Sequence, residues 1–254
     1  MKALYPVIIL AGGLATRLRP MTETIPKSLV LVNGEPFIHH QLRLLQRQGI
    51  REVVLCLGYL GEMVEKVIGD GHQFGMNVQY SYDGPNLLGT AGAIKKALPL
   101  VDDVFFVLYG DSYLACDYAA IQETFLRSKK QGLMTVFHNG NQWDTSNVEY
   151  QNGCLLDYSK RNRTERMQHI DYGLGMFDRS AFDSIEPTQA YDLSIIQERL
   201  LKNNQLAGAE VSERFYEVGS FAGINELESL LESGQSDKLN PHLRNAVLNE
   251  AINL

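Results

Sequence analysis

Short apolar runs alternate with amphipathic helical segments over the first half of the chain, and the second half changes character. Val7–Leu10 (VIIL) is an unbroken run that reads as a buried strand. Pro36–Gln48 (PFIHHQLRLLQRQ) reads as a helix, with proline near its start and Gly49 behind its end. Glu52–Leu57 is a second strand, Gly61–Ile68 a short helix and Val78–Tyr82 a third strand. A helix over Thr90–Leu98 and a fourth strand over Val104–Leu108 follow. Strands alternating with helices at this spacing imply βαβ units, and hence a mostly parallel sheet covered on both faces.

The pattern then changes. Leu133–His138, Asn147–Gln151 and Cys154–Ser159 read as strands, with Asn152-Gly153 as a hairpin turn between the last two. Tyr172–Phe177, Leu206–Val211 and Phe215–Val218 add short strands, and Leu193–Leu201 is helical. From Ile224 onward the chain reads as helices around a polar break, SGQSDKLNP. No internal repeat or low-complexity segment interrupts the pattern. The expected fold is α/β: a Rossmann-like, doubly wound, mostly parallel sheet with inserted antiparallel strands. All of it is expected in one domain, 1–254, with divisions at 1–115, 116–222 and 223–254.

A length of 254 residues, 44% hydrophobic and 21% charged, suits a globular chain with a sizeable core. The net charge of -7 argues against a nucleic-acid partner, which would require a basic face. It also singles out the cations near the N-terminus as placed for a small anionic ligand. Cys56, Cys116 and Cys154 lie far apart with no CxxC spacing, so neither a zinc site nor a disulfide framework is expected. The N-terminal run is too short to span a membrane and suits a strand better than a signal peptide. A cytoplasmic location with no membrane partner is the expectation.

Ligands of open parallel sheets bind where loops leave the carboxyl ends of strands. Leu10-Ala11-Gly12-Gly13 leaves the first strand, Tyr109-Gly110-Asp111 the fourth, and Glu217-Val218-Gly219-Ser220 a late one. Two carboxylates near a glycine-rich, arginine-bearing loop are what a Mg²⁺–nucleotide site requires. Each feature also has a plain reading: Asp111 as a helix cap, Glu217 as a solvated strand end, the glycines as a turn. The loop is neither a Walker A, lacking GK[ST], nor GxGxxG.

Taken together, LAGGLATRLRPMTETIPKSLVLVNGEPFIHHQL resembles the N-terminal signature of the sugar-phosphate nucleotidylyltransferases, the nucleotide-sugar pyrophosphorylases. LLGTAGAI (Leu87–Ile94), YGD (Tyr109–Asp111), YSK (Tyr158–Lys160), IDYGLGMF (Ile170–Phe177) and FYEVGS (Phe215–Ser220) extend the resemblance over nearly the whole chain. Among subgroups it looks most like the short bacterial heptose-1-phosphate guanylyltransferases of surface-polysaccharide precursor synthesis.

The resemblance implies the nucleotide-diphospho-sugar transferase fold and a reaction between an NTP and a sugar-1-phosphate that releases pyrophosphate. It implies Arg17 as clamp of the leaving phosphates, Lys27 against the α-phosphate, and Asp111 with Glu217 as Mg²⁺ ligands. Leu10, Ala11, Gly12, Gly13, Thr16, Gly89 and Thr90 would meet the nucleotide, Gly12 and Gly13 through close backbone approach. Lys160 would grip the sugar phosphate, with Gly173 and Asn147 beside the sugar. Asp83 could accept from guanine, which mildly favours GTP with a heptose- or hexose-1-phosphate. Uridylyl or thymidylyl transfer to a hexose- or amino-sugar-1-phosphate stays open, as does a non-catalytic nucleotide-sugar-binding regulator.

Two positions depart from the family pattern. Glu217 stands where much of the family has Asp, and Lys160 lacks the glutamate that precedes the corresponding lysine. No hexapeptide-repeat stretch is present, so no acetyltransferase activity is expected. His39-His40 reads as helix surface and core rather than metal ligands, and His169 reads as a surface residue, with contact to the sugar as its alternative. Trp143 could flank the sugar pocket, and Arg19 could face solvent or another subunit. Leu243, Val247, Leu248 and Ile252 could pack on the core or on a second copy, leaving a homo-oligomer open. Ala15 stands within the glycine-rich loop, so an ordinary backbone φ is expected there.

Overall fold

The structure, a computed structural model, describes residues 3–13, 16–186 and 189–234. Strand β1 (Val7–Leu10) leads into three single 3₁₀ turns at Thr16–Leu18, Met21–Glu23 and Lys27–Leu29. The small pair β2 (Leu31–Val32) and β3 (Glu35–Pro36) precedes α1 (Phe37–Gln48), β4 (Glu52–Leu57) and α2 (Gly61–Ile68). Next come β5 (Asn77–Tyr82), α3 (Gly89–Ala97), β6 (Val104–Tyr109), β7 (Ser112–Tyr113) and α4 (Tyr118–Ser128). The second half holds β8 (Gly132–His138), β9 (Val148–Gln151), β10 (Cys154–Tyr158) and β11 (His169–Asp178). It ends with α5 (Leu193–Lys202), β12 (Leu206–Val211), β13 (Tyr216–Glu217) and α6 (Phe221–Glu232).

Nine strands form one mixed sheet in the order β10-β9-β11-β6-β1-β4-β5, with β8 pairing β11 and β12. The block β6-β1-β4-β5 is parallel throughout. β11 runs antiparallel to both β6 and β8, while β12 lies parallel to β8. From β1 the chain builds outward to β4 and β5, then returns to place β6 on the other side. That reversal opens a crevice at the carboxyl ends of β1 and β6, where Leu10 and Tyr109 are register partners.

The unbroken apolar run of β1 follows from burial on both sides. Val7 and Ile9 enter a core with Leu42, Leu45, Val64 and Ile121, whereas Ile8 enters another with Ile94, Phe182 and Ile196. Helices α1, α2 and α4 contribute to the first core and α3 and α5 to the second. A third cluster, including Leu18, Val30, Phe37, Tyr113, Val218 and Leu227, ties α6 and the 3₁₀ segment to β7 and β13. Among the described residues no helix is long and apolar enough to cross a membrane.

The hydrophobic pattern does not announce α4. Tyr118, Ile121, Gln122 and Phe125 form its buried face at helical spacing. One of these core positions is a glutamine, which blurs the apolar period. Its amide is used internally: Gln122 Oε1 accepts from the Tyr5 amide at 2.9 Å, and Nε2 donates to the Ala3 carbonyl at 3.2 Å. Helix α6 begins at Phe221, three residues before the expected Ile224. Most of the polar break, together with Leu243, Val247, Leu248 and Ile252, lies outside the described residues.

Asp117 starts α4 by accepting the Ala120 amide at 3.0 Å. Asp117→Ala removes that cap and should destabilise the protein by about 1 kcal/mol. The expected readout is a lower urea midpoint at unchanged slope; an unchanged midpoint would show that α4 does not need its cap.

Candidate active site

The crevice at the ends of β1 and β6 is a cleft of about 400 Å³. Leu10, Ala11, Gly12 and Gly13 form one wall. That wall is pinned to β4, because the Ala11 amide donates to the Cys56 carbonyl at 2.9 Å. Beyond it Gly12 lies against Gly58: a methyl on Gly12 would stand 3.1 Å from the Gly58 nitrogen. A side chain at Gly12 would therefore be tight against the loop after β4, while Gly13 faces open space. Thr16 opens the following 3₁₀ turn, and Ala15 lies outside the described residues.

Arg17, Lys27 and Asp111 bring the charge into the cleft. The 3₁₀ turn Lys27–Leu29 delivers Lys27, whose Nζ sits 2.6 Å from Asp111 Oδ2. Glu217 arrives from the far half of the chain through the β7–β13 clasp. There Glu217 pairs with Ser112, and the Val218 amide donates to the Asp111 carbonyl at 2.9 Å. A methyl on the adjoining Gly219 would meet Arg17 Nη2 at 3.1 Å and Lys27 Nζ at 3.5 Å. Arg17, Lys27 and Asp111 thus line the cleft, and Glu217 lies near enough to feel all three charges, although it is not itself part of the cleft lining. Burial pushes the Glu217 carboxyl up to about 7, and repulsion from Asp111 adds to it against the opposing pull of Lys27 and Arg17.

The opposite wall carries Asp83, Leu87, Gly89, Thr90 and Ala93. Asp83 Oδ2 accepts from the Leu88 amide at 3.1 Å, and burial raises its carboxyl above the usual range. Gly89 has φ +66°, and a methyl there would lie 2.5 Å from the Tyr191 carbonyl oxygen. Thr90 Oγ1 accepts from the Leu193 amide at 2.6 Å, so its hydroxyl holds the start of α5 while the residue lines the cleft.

Lys160, Gly173 and Asn147 lie around Tyr109 and the strands beyond it rather than along the cleft lining. Lys160 Nζ is 3.2 Å from Asp192 Oδ1 and 5.9 Å from the centre of the Tyr109 ring. Gly173 sits at φ +93° where the β11 register shifts, and a methyl there would press on Tyr109 Cδ2 at 3.2 Å. Asn147 is buried, and its Oδ1 accepts from the Asp171 amide at 2.9 Å. It braces β9 against β11.

Several residues of the site were not singled out from the sequence. Tyr109 and Ser28 line the cleft, and both hydroxyls are buried without a hydrogen-bond partner among the described residues. Their positions, next to Gly110-Asp111 and to Lys27, were the available signal. His169 is a correction: it is buried rather than on the surface, with Nε2 3.1 Å from Glu210 Oε1. Trp143 is half-exposed and stacks on the Arg214 guanidinium at 3.4 Å. His40 Nε2 lies 2.9 Å from the Val32 carbonyl, His39 packs on the Phe74 ring, and Arg19 is exposed.

A model of the nucleotidyl transferase family matches residues 6–147. The chain is 33% identical over 212 residues to the D-glycero-alpha-D-manno-heptose 1-phosphate guanylyltransferase of Campylobacter jejuni, covering 84% of this chain and 93% of that one. It is 29% identical over 229 residues to the N-acetylmuramate alpha-1-phosphate uridylyltransferase of Neisseria meningitidis, covering 88% and 96%. A crystal structure of a Bacillus anthracis protein assigned as a glucose-1-phosphate thymidylyltransferase superposes with a TM-score of 0.78. It is 22% identical and covers 89% of this chain and 94% of that one. The chain belongs to the nucleotidyl transferase family, in its group of sugar-1-phosphate nucleotidylyltransferases.

Gly89→Ala tests the closeness of the two loops at the cleft wall. A side chain at positive φ and against the Tyr191 carbonyl should cost more than about 1 kcal/mol. A thermal midpoint within error of the parent would show that the loops separate freely.

Proposed function

We propose that this chain joins an NTP to a sugar-1-phosphate, with GTP and a heptose- or hexose-1-phosphate as the favoured pair. The observation that carries the reading is that Arg17 and the Lys27–Asp111 pair line the cleft, with the Glu217 carboxyl beside them and under the influence of all three charges. In the reaction an oxygen of the sugar phosphate forms a bond to the α-phosphorus. The bond from that phosphorus to the bridging oxygen of the β-phosphate breaks, and pyrophosphate leaves. Alignment and charge stabilisation do most of the work in such a transfer.

Each residue then has a role its position supports. Gly12, Gly13, Leu10 and Ala11 let the nucleotide lie along the end of β1, with Gly89 and Thr90 on the other side. The Arg17 guanidinium clamps the departing phosphates in bidentate fashion. The Lys27 ammonium, already at the charged end of the cleft, turns to the α-phosphate. Lys160 grips the sugar phosphate, with Gly173 and Asn147 shaping that side. Residues 1–115 supply the nucleotide half and 116–222 the sugar-phosphate half, with 223–254 as a C-terminal segment.

Asp111 and Glu217 fit a Mg²⁺ ion. Both are hard oxygen donors, burial and then the Asp111 charge raise Glu217, and a divalent cation would relieve both effects. Bound there, Mg²⁺ would neutralise phosphate charge.

Asp83 supports GTP, because a carboxylate that accepts one amide keeps lone pairs for guanine's N1–H and N2–H₂. Uracil and thymine also offer an N–H, and likeness to a uridylyltransferase over 96% of its length supports the second reading. That reading is uridylyl or thymidylyl transfer to a hexose- or amino-sugar-1-phosphate. A non-catalytic regulator is disfavoured by the intact set Arg17, Lys27 and Asp111. The reaction is placed in the cytoplasm, in supply of polysaccharide precursors.

The test is pyrophosphate release with Mg²⁺, crossing GTP, UTP, dTTP, CTP and ATP with several sugar-1-phosphates. GTP with a heptose- or hexose-1-phosphate should be fastest; no pair above a Lys27→Ala control would favour the regulator. Asp111→Asn should lower kcat at least ~100-fold while the thermal midpoint stays close to the parent's. Near-parental turnover would remove Asp111 from the site. Protons compete with metal at Glu217, so the Mg²⁺ concentration for half-maximal rate should rise as pH falls through about 7. A requirement independent of pH would take Glu217 out of the metal site.

A further inference from the structure

Lys160 lacks the preceding acidic residue that would have been its natural partner, and the structure supplies another from far along the chain. Asp192 Oδ1 lies 3.2 Å from Lys160 Nζ. Asp192 has a second task, since the same oxygen accepts the Ser194 amide at 2.8 Å and so caps α5. Lys160 is therefore tied to a helix end rather than to a loose loop. The Tyr109 ring lies 5.9 Å from its ammonium and gives the side chain a second restraint.

The segment around Asp192 is fixed on its other side to the cleft wall. The Tyr191 amide donates to the Leu88 carbonyl and the Ala91 amide to the Tyr191 carbonyl, both at 2.9 Å. The Leu193 amide donates to Thr90 Oγ1 at 2.6 Å. Gly89 permits this approach, because any side chain there would strike Tyr191. Residues Tyr191–Leu193 thus form a strap with its backbone on the nucleotide wall and its one carboxylate on the lysine of the other side.

We propose that Asp192 is a positioning residue that holds Lys160 for the sugar phosphate and sets its distance from the nucleotide wall through the Tyr191–Leu193 strap. This rests on the assignment of Lys160 to the sugar phosphate. A lysine stem has considerable rotamer freedom, and a phosphate that meets it already ordered does not bear the ordering cost. An ammonium has three donors, so the bond to Asp192 leaves others for phosphate. Both groups are partly exposed, which screens the repulsion between the Asp192 carboxylate and the incoming phosphate. Ordering therefore outweighs repulsion.

Asp192→Asn separates these roles, because asparagine caps a helix as well as aspartate does but cannot pair as an anion. The thermal midpoint should stay near the parent's. KM for the sugar-1-phosphate should rise about tenfold, with KM for the NTP and kcat changed by less than about twofold. In a Lys160→Met background, Asp192→Asn should add nothing further to KM. A fall in sugar-1-phosphate KM would show Asp192 competing with the phosphate and would overturn the proposal. An equal rise in both KM values, or an additive effect on top of Lys160→Met, would also overturn it as a purely structural role. If Lys160→Met raises KM for the sugar-1-phosphate and Asp192→Asn does not, the positioning role alone falls. If Lys160→Met leaves that KM unchanged, the assignment of Lys160 falls and takes the proposal with it.

Discussion

The rest of the structure depends on the close approach of backbone at the carboxyl end of β1. Gly12 packs on Gly58 after β4, and the Gly110 amide donates to the Leu10 carbonyl at 3.0 Å after β6. Three chain turns meet there almost backbone to backbone, with the Ala11 methyl beside Gly110 and the Leu87 side chain beside Gly58, and Gly12 and Gly110 form a floor to the cleft. Everything polar in the cleft is arranged around that floor. A side chain at Gly58 would strike the Gly12 carbonyl at 2.7 Å, so the two loops would have to shift to admit it.

Charge is the second constraint, and it acts against the first. Bringing Asp111 and Glu217 together in a partly dry place is unfavourable, as the raised Glu217 carboxyl shows. Lys27 and Arg17 offset that cost only in part. Lys27 is already paired with Asp111 at 2.6 Å, so the balance of charge there rests on Glu217 and Arg17.

The parallel half was legible because periodicity and position agree there. The limits of β4 and α2 are as the apolar pattern places them, and Gly49 closes α1 in the left-handed conformation. The glycine-rich wall, Arg17, Lys27, Asp83 and Asp111 were legible because each follows directly from a strand end or a continuous motif. Helix α4 was not, since a buried glutamine interrupts its stripe. His169 was misjudged because burial of a histidine depends on partners such as Glu210 and Tyr150, which come from other strands. The partner of Lys160 was hidden for the same reason: Asp192 is near only after β10 and α5 have packed together. Residues joined through space, rather than along a motif, leave no mark in a single sequence.

The β7–β13 clasp is only two residues long on each side, yet it sets Glu217 opposite Ser112, next to Asp111. The two carboxylates come from opposite halves of the chain, with β8 to β12 folded between them. Asp111 and Glu217 therefore come together only where β13, the last strand described, lies against β7.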